Sequence, residues 1–318
     1  MKILFMGTPD FAEGVLSAIY ESRHEVVAVV TQPDRPRGRS QTLIASPVKE
    51  FAAKRGIPVL QPERIKSPEE IEKLRAIDAD IYVVAAFGQI LSKEILDIPG
   101  YGCINVHASL LPEYRGAAPI QWAIADGKEQ TGVTIQQMNE GVDTGDIIAS
   151  SVVDISSDET GATLFDKLMN EGAVLAVDTL DLMERGEVRR VPQDESKATY
   201  AKMIKKEMGC IDFDTSAVRT QRLVRAFDPW PGVYTYLNGK VLKIKKCCVY
   251  DGDLSGEPGE VITVSDDAIV IAFAEGALSV TAVQLEGKKQ MPVHDFLLGN
   301  PVKTGTKLGM TERKAGER

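Results

Sequence analysis

The sequence predicts an α/β fold: a Rossmann-like, mainly parallel sheet with helices on both faces, followed by a C-terminal OB-like β-barrel. Two observations point there. Over the first two-thirds, short apolar β-branched runs alternate with helical patterns, which is the rhythm of βαβ units. Beyond about residue 187 that rhythm gives way to five short strand-like runs broken by Gly, Asn and Asp, which fits a small barrel. At roughly 100–200 residues per domain, a chain of 318 residues has room for two. Candidate boundaries give a first domain at 1–188, a linker at 189–208 and a second domain at 209–314.

Residues 2–6 (KILFM) read as a buried strand, and residues 10–21 place Phe11, Val15, Ala18 and Ile19 at helical spacing. Between them, Gly7-Thr8-Pro9-Asp10 reads as a strand-to-helix turn capped by Asp10. A dinucleotide fingerprint would need further glycines here, and Pro9 removes a backbone donor, so nicotinamide binding is disfavoured. Residues 25–32 (EVVAVVTQ) suit a parallel strand, and residues 47–55 a helix with Pro47 in its first turn. Strands are expected at 81–86, 103–107, 133–138 and 147–155, a helix at 117–125, and a long amphipathic helix at 160–185. Residues 191–199 are polar and read as linker. A short helix at 216–227 leads into the turn FDPWPG, with strands at 232–237, 241–249, 260–264, 268–273 and 278–285.

Composition excludes several classes. With 43% hydrophobic residues the chain is not a disordered one. No apolar run approaches the roughly 18 residues of a spanning helix, and the opening MKILFMGTPDF is too short for a signal-peptide core. The cysteines Cys103, Cys210, Cys247 and Cys248 form no CxxC pair and are expected to be reduced thiols of a cytoplasmic protein. None of the three histidines sits at ligand spacing from a cysteine pair, so no metal site is expected.

Charge is uneven. The net charge is −9, but residues 1–204 carry 21 basic and 31 acidic side chains, while residues 205–318 carry 16 and 15. Within 199–250, ten basic residues face four acids. Such a segment can hold a polyanion on an acidic protein, because screening confines the field to about 10 Å. Residues 33–47 (PDRPRGRSQTLIASP) set Arg35, Arg37 and Arg39 in a loop after a strand, where guanidinium forks suit phosphate.

Two segments carry candidate chemistry. Asn105 and His107 stand two apart on the strand at 103–107, so their side chains share a face. An amide and an imidazole in an apolar strand are costly unless both are satisfied. Asn offers a donor to a developing oxyanion, and His a proton near neutral pH. The segment Glu140-Gly141-Val142-Asp143-Thr144-Gly145-Asp146 offers two carboxylates that could orient His107, and spacing alone does not choose between Asp143 and Asp146. His24 and His294 read as bystanders.

The run Asn105-Val106-His107-Ala108-Ser109-Leu110-Leu111-Pro112, with Tyr114-Arg115-Gly116 and Gly141-Val142-Asp143-Thr144-Gly145, resembles the folate-dependent formyltransferases. The opening GTPDF, the TQPDRPRGR loop and the basic second domain resemble the branch of that family that acts on tRNA, over nearly the whole chain. The resemblance implies an enzyme of translation initiation. It would move the formyl group of 10-formyltetrahydrofolate to the α-amino group of methionine on initiator tRNA. Residues 1–188 would be catalytic and 209–314 would bind tRNA. It implies catalytic roles for Asn105, His107 and Asp143, thereby choosing Asp143 over Asp146. Ser109, Leu110, Leu111 and Pro112 match the stretch that meets folate, and Phe87, Gly88, Gln89 and Leu91 the segment beside the pterin. Arg37 and Arg39 match the loop that enters the tRNA acceptor end, and Lys205 and Lys206 a basic linker facing tRNA. No metal and no membrane enter this scheme, and a monomer is expected. The rivals are a formyltransferase acting on an amino sugar nucleotide, a non-enzymatic RNA-binding protein and a nicotinamide-dependent oxidoreductase.

Overall fold

In chain order the first elements are β1 (Lys2–Gly7), α1 (Asp10–Glu21), β2 (Glu25–Val30), β3 (Arg35–Arg37), β4 (Thr42–Ile44), α2 (Pro47–Lys54) and β5 (Val59–Leu60). Then come α3 (Pro68–Arg75), β6 (Ile81–Ala85), α4 (Lys93–Leu96), β7 (Cys103–His107), β8 (Arg115–Gly116), α5 (Pro119–Ala125), β9 (Gln130–Gln137), β10 (Ile147–Asp154), α6 (Gly161–Glu184) and β11 (Tyr200–Ala201). They are followed by α7 (Ala217–Ala226), β12 (Val233–Leu237), β13 (Lys240–Val249), β14 (Val261–Val264), β15 (Ile269–Ala272), β16 (Ala277–Leu285), β17 (Met291–Pro292) and α8 (Val293–Gly299). This computed structural model describes residues 1–37, 42–252 and 256–309. Its backbone contacts divide into two units.

The first unit comprises residues 1–119, 129–155 and 164–202. Its seven-stranded sheet runs β10-β9-β7-β6-β1-β2-β5. Neighbours from β7 to β5 pair in parallel, while β9 is antiparallel to both β7 and β10. The apolar runs are continuous because these strands are covered on both faces: Ile3 to Met6 of β1 and Ile81 to Ala85 of β6 are all buried. Leu4, Met6, Val30, Tyr82, Val84 and Ile95 belong to one apolar cluster. There the Tyr82 hydroxyl is satisfied by donating to the Leu74 carbonyl at 3.1 Å.

The helices follow their apolar spacing. α1 buries Phe11, Val15, Leu16 and Ile19. Asp10 is not its cap, as the turn had suggested: Pro9 holds the cap position with no side-chain hydrogen bond, and Asp10 is the first helical residue. There its carboxylate is favoured by the helix dipole instead. α2 starts as expected, with Pro47 leading and Ser46 accepting from the Lys49 N–H at 3.1 Å. Part of the arginine-bearing stretch is strand rather than loop: Arg35 to Arg37 pair antiparallel with Thr42 to Ile44. α3 was not anticipated, because only Ile71 and Leu74 mark its buried face.

The second unit comprises residues 120–128, 156–163 and 203 onward. The five expected strands form one antiparallel sheet in the order β12-β13-β16-β15-β14, with β17 beside β16. Alternation sends Val233, Thr235 and Leu237 inward, with Leu242, Ile244, Val280 and Val283. Ser216 caps α7 by accepting from the Arg219 N–H at 3.2 Å. Among the described residues no helix is long and apolar enough to cross a membrane.

Candidate active site

The pairing of β7 with β9 sets Asn105 opposite Gln136 and His107 opposite Thr134. Directly opposed residues project from the same face, so four polar side chains line one patch of an otherwise apolar pair of strands. The His107 Nε2 atom lies 3.0 Å from the Tyr114 carbonyl oxygen. That oxygen can only accept, so Nε2 carries a proton in this arrangement. The other ring nitrogen, Nδ1, lies 3.6 Å from Asp143 Oδ1.

Asp143 comes from the turn between β9 and β10, and its carboxylate collects donors from three directions. Oδ1 accepts from the Gln136 amide at 2.9 Å and the Asn105 amide at 3.3 Å. Oδ2 accepts from the Gly116 N–H at 2.9 Å. The Asp143 side chain is 15% exposed and that of His107 7%, so the pair meets solvent along a narrow edge. Asp143 has a φ of 53°, a left-handed conformation uncommon outside glycine. Gly145 is required at its place: a Cβ there would run into the Gln137 carbonyl oxygen.

A second polar layer lies behind. Arg115 is fully buried. Its Nε and Nη2 both donate to Gln193 Oε1, at 3.1 and 2.7 Å, and its Nη1 and Nη2 grip the Glu195 carboxylate at 2.9 and 2.7 Å. This holds the Glu195 carboxyl below its ordinary range. The Gln193 Nε2 group donates to the carbonyls of Asp143 and Gly145 at 2.9 and 2.7 Å. The polar stretch after α6 is thus a strap over the site, and β11 pairs with β8 in register, Tyr200 with Arg115 and Ala201 with Gly116.

The structure brings Asn105, His107 and Asp143 together. Asp146 joins the sheet through its backbone, its carbonyl accepting from the Gln137 N–H at 2.8 Å. Of the residues matched to folate contact, Ser109 is buried and donates to the Glu113 carbonyl at 2.6 Å. Leu110 is half-buried, Leu111 is buried, and Pro112 follows a cis peptide bond. Phe87 and Leu91 sit in the apolar cluster. Gly88 between strand and loop has a φ of 84°. The Gln89 amide is spent on the backbone, donating to Pro62 O at 3.0 Å and accepting from the Ile65 N–H at 2.9 Å. Lys205 and Lys206 are exposed. Lys206 lines a cavity of about 490 Å³ in the second unit, with Tyr234, Tyr236 and Lys243. Arg39 lies outside the described residues, as does the side chain of Arg37.

Sequence reasoning missed Gln136, Gln193 and Glu195. Gln136, only 2% exposed, could have been found from the polar alternation of Thr134 and Gln136 between buried Val133 and Ile135. One group at metal-ligand spacing exists among the described residues: His24, Asp181 and Glu184. Arg23 already bridges both carboxylates, at 2.7 and 2.5 Å, which makes it an ion-pair network.

An amide, an imidazole and an oriented carboxylate at the carboxyl end of β7, inside a mainly parallel sheet, form a site suited to group transfer at a carbonyl. Comparison with known proteins specifies the group. Residues 1–180 match the family described as formyl transferase, and residues 203–301 match the formyl transferase C-terminal domain. The chain belongs to the formyl transferase family. It is 53% identical over 306 residues to the methionyl-tRNA formyltransferase of Agathobacter rectalis, covering 96% of this chain and 99% of that one. It is 52% identical to that of Lachnospira eligens, covering 97% and 100%. In fold it is similar to an N-formyltransferase from Helicobacter canadensis, solved with folinic acid and dTDP-3-aminofucose. That likeness has a TM-score of 0.66 at 18% identity and covers 88% of this chain and 98% of that one.

Proposed function

We propose that this chain transfers the formyl group of 10-formyltetrahydrofolate to the α-amino group of methionine on initiator tRNA, in the cytoplasm. The observation that carries the proposal is the convergence of Asn105 and His107 on Asp143, in a chain matched over 96% of its length by a relative named methionyl-tRNA formyltransferase. The first domain, 1–188, is the catalytic part; 209–314, with the basic residues concentrated before residue 250, serves tRNA.

The uncharged amine attacks the formyl carbon, a C–N bond forms, and the carbonyl electron pair moves onto oxygen. Asn105 has an amide N–H beyond the one given to Asp143, and it donates to that oxyanion; protonated His107 adds its charge. Removing one donor of this kind costs about 2.7–4 kcal/mol of transition-state stabilisation. Asp143 steadies the imidazolium. The amine sheds a proton, the folate nitrogen gains one, and the C–N10 bond breaks to leave tetrahydrofolate and the formamide. Ser109 to Pro112 and the segment of Phe87, Gly88, Gln89 and Leu91 form the folate side, acting largely through backbone and apolar surface. Lys205, Lys206, Arg37 and Arg39 hold phosphates of the tRNA.

The experiment compares formylation of methionyl initiator tRNA with that of small amines, including an amino sugar nucleotide, at low and moderate salt. Turnover on the charged tRNA, weakening steeply with salt, is expected, because each phosphate contact releases counterions. Turnover confined to small amines, insensitive to salt, would overturn the proposal in favour of a sugar-type formyltransferase.

A further inference from the structure

We propose that Gln193 is a positioning residue for Asp143, and that buried Arg115 is the anchor that fixes the orientation of the Gln193 amide. This rests on the formyl-transfer reading above.

An amide side chain can be turned either way, but here the choice is forced. Arg115 can only donate, and it directs both Nε and Nη2 at one Gln193 atom, which must therefore be the carbonyl oxygen. The NH2 end is then committed to the other side, where two carbonyl oxygens, of Asp143 and Gly145, each take one of its two N–H bonds. Each polar side-chain atom of Gln193 has one compatible partner set. Glu195, two residues on along the strap, closes the far edge of Arg115 with a two-pronged carboxylate.

What this fixes is the residue at the centre of the site. Asp143 holds a left-handed backbone, which persists only where the surroundings over-determine it. Gln193 clamps the carbonyls of Asp143 itself and of the residue two beyond. The same strap, through β11, holds β8, whose Gly116 N–H donates to Asp143 Oδ2. Backbone and carboxylate of Asp143 are thus held from one segment, and Gln193 meets neither Asn105 nor His107.

The decisive variant is Gln193→Glu. It retains an oxygen toward Arg115, but sets a second oxygen against two carbonyls and removes both donors to the Asp143 turn. Formylation should lose about tenfold to 100-fold in kcat, as for a reacting group displaced by about an ångström. KM for formyl donor and tRNA should stay within about twofold, since Gln193 meets neither substrate in this proposal. If Gln193 acts through Asp143, the same substitution placed on Asp143→Asn should cost no more than about threefold further, by the non-additivity of coupled sites. Gln193→Ala, which brings in no charge, serves as the second variant should the first not fold, with the same expectations. A kcat within about twofold of the unaltered protein, a rise in KM alone, or an equal loss in both backgrounds would each overturn the proposal. Absence of formyl transfer by the unaltered protein would defeat the underlying reading instead, so the two failures are distinguishable.

Discussion

Replacing Asp143 by Asn leaves the shape of the side chain and alters only what its two ends can do. Oδ1 accepts from Gln136 at 2.9 Å and Asn105 at 3.3 Å and faces His107 Nδ1 at 3.6 Å, while Oδ2 accepts from the Gly116 N–H at 2.9 Å. An amide can keep its oxygen toward the first group only by pointing its NH2 at Gly116, donor against donor. The reverse orientation confronts two amide donors and is worse. One lost hydrogen bond with an unsatisfied donor costs about 1–3 kcal/mol, which lowers the melting temperature but leaves a folded protein. The effect on turnover is larger, because the negative charge that steadies an imidazolium is gone: a loss of about 10²–10³ in kcat follows from losing the charge stabilisation that the imidazolium gives the oxyanion. Steady-state formylation of charged initiator tRNA, run beside a thermal melt, separates the two effects. A variant that melts within a few degrees of the parent and turns over within about tenfold of it would refute the role given to Asp143.

Two further outcomes follow from ionisable groups. Arg115 holds the Glu195 carboxyl below its ordinary value of 4.5, so this pairing contributes stability above that value and loses it as pH falls through the lower folded value. Glu195→Gln should therefore show a shallower fall of melting temperature below about pH 4.5 than the parent; parallel curves would count against the pairing. Burial pushes the thiols of Cys103 and Cys247 up to about 12, whereas Cys248 is exposed. A thiol reagent at about pH 8 should modify Cys248 first in the native protein, half-buried Cys247 more slowly, and Cys103 only on unfolding, since the thiolate is the reactive form. Mass spectrometry of the labelled peptides reads the result, and early labelling of Cys103 would refute the burial argument.

What the sequence made legible and what it hid have different physical origins. β7 and α1 could be read to the residue, because their apolar spacing records burial against neighbours that every sheet and helix of this class must have. Asn105 and His107 stood out for the opposite reason, as polar groups where burial would be costly. Gln136 did not, because its meaning lies in register: it becomes part of the site only by standing opposite Asn105 on an antiparallel neighbour, and a strand pattern does not state its partner. Gln193 and Glu195 were hidden more deeply. A polar, aperiodic stretch reads as linker, and these two acquire a partner only because Arg115, 78 and 80 positions earlier, is buried. A buried guanidinium demands acceptors wherever the chain can supply them. The acceptors here come from the polar stretch after α6, where Glu195 opens only a single 3-10 turn, Glu195–Lys197, and Gln193 lies outside any helix or strand. The polar strap and the buried arginine are therefore one feature, and the turn that carries Asp143 is fastened to it through Gln193.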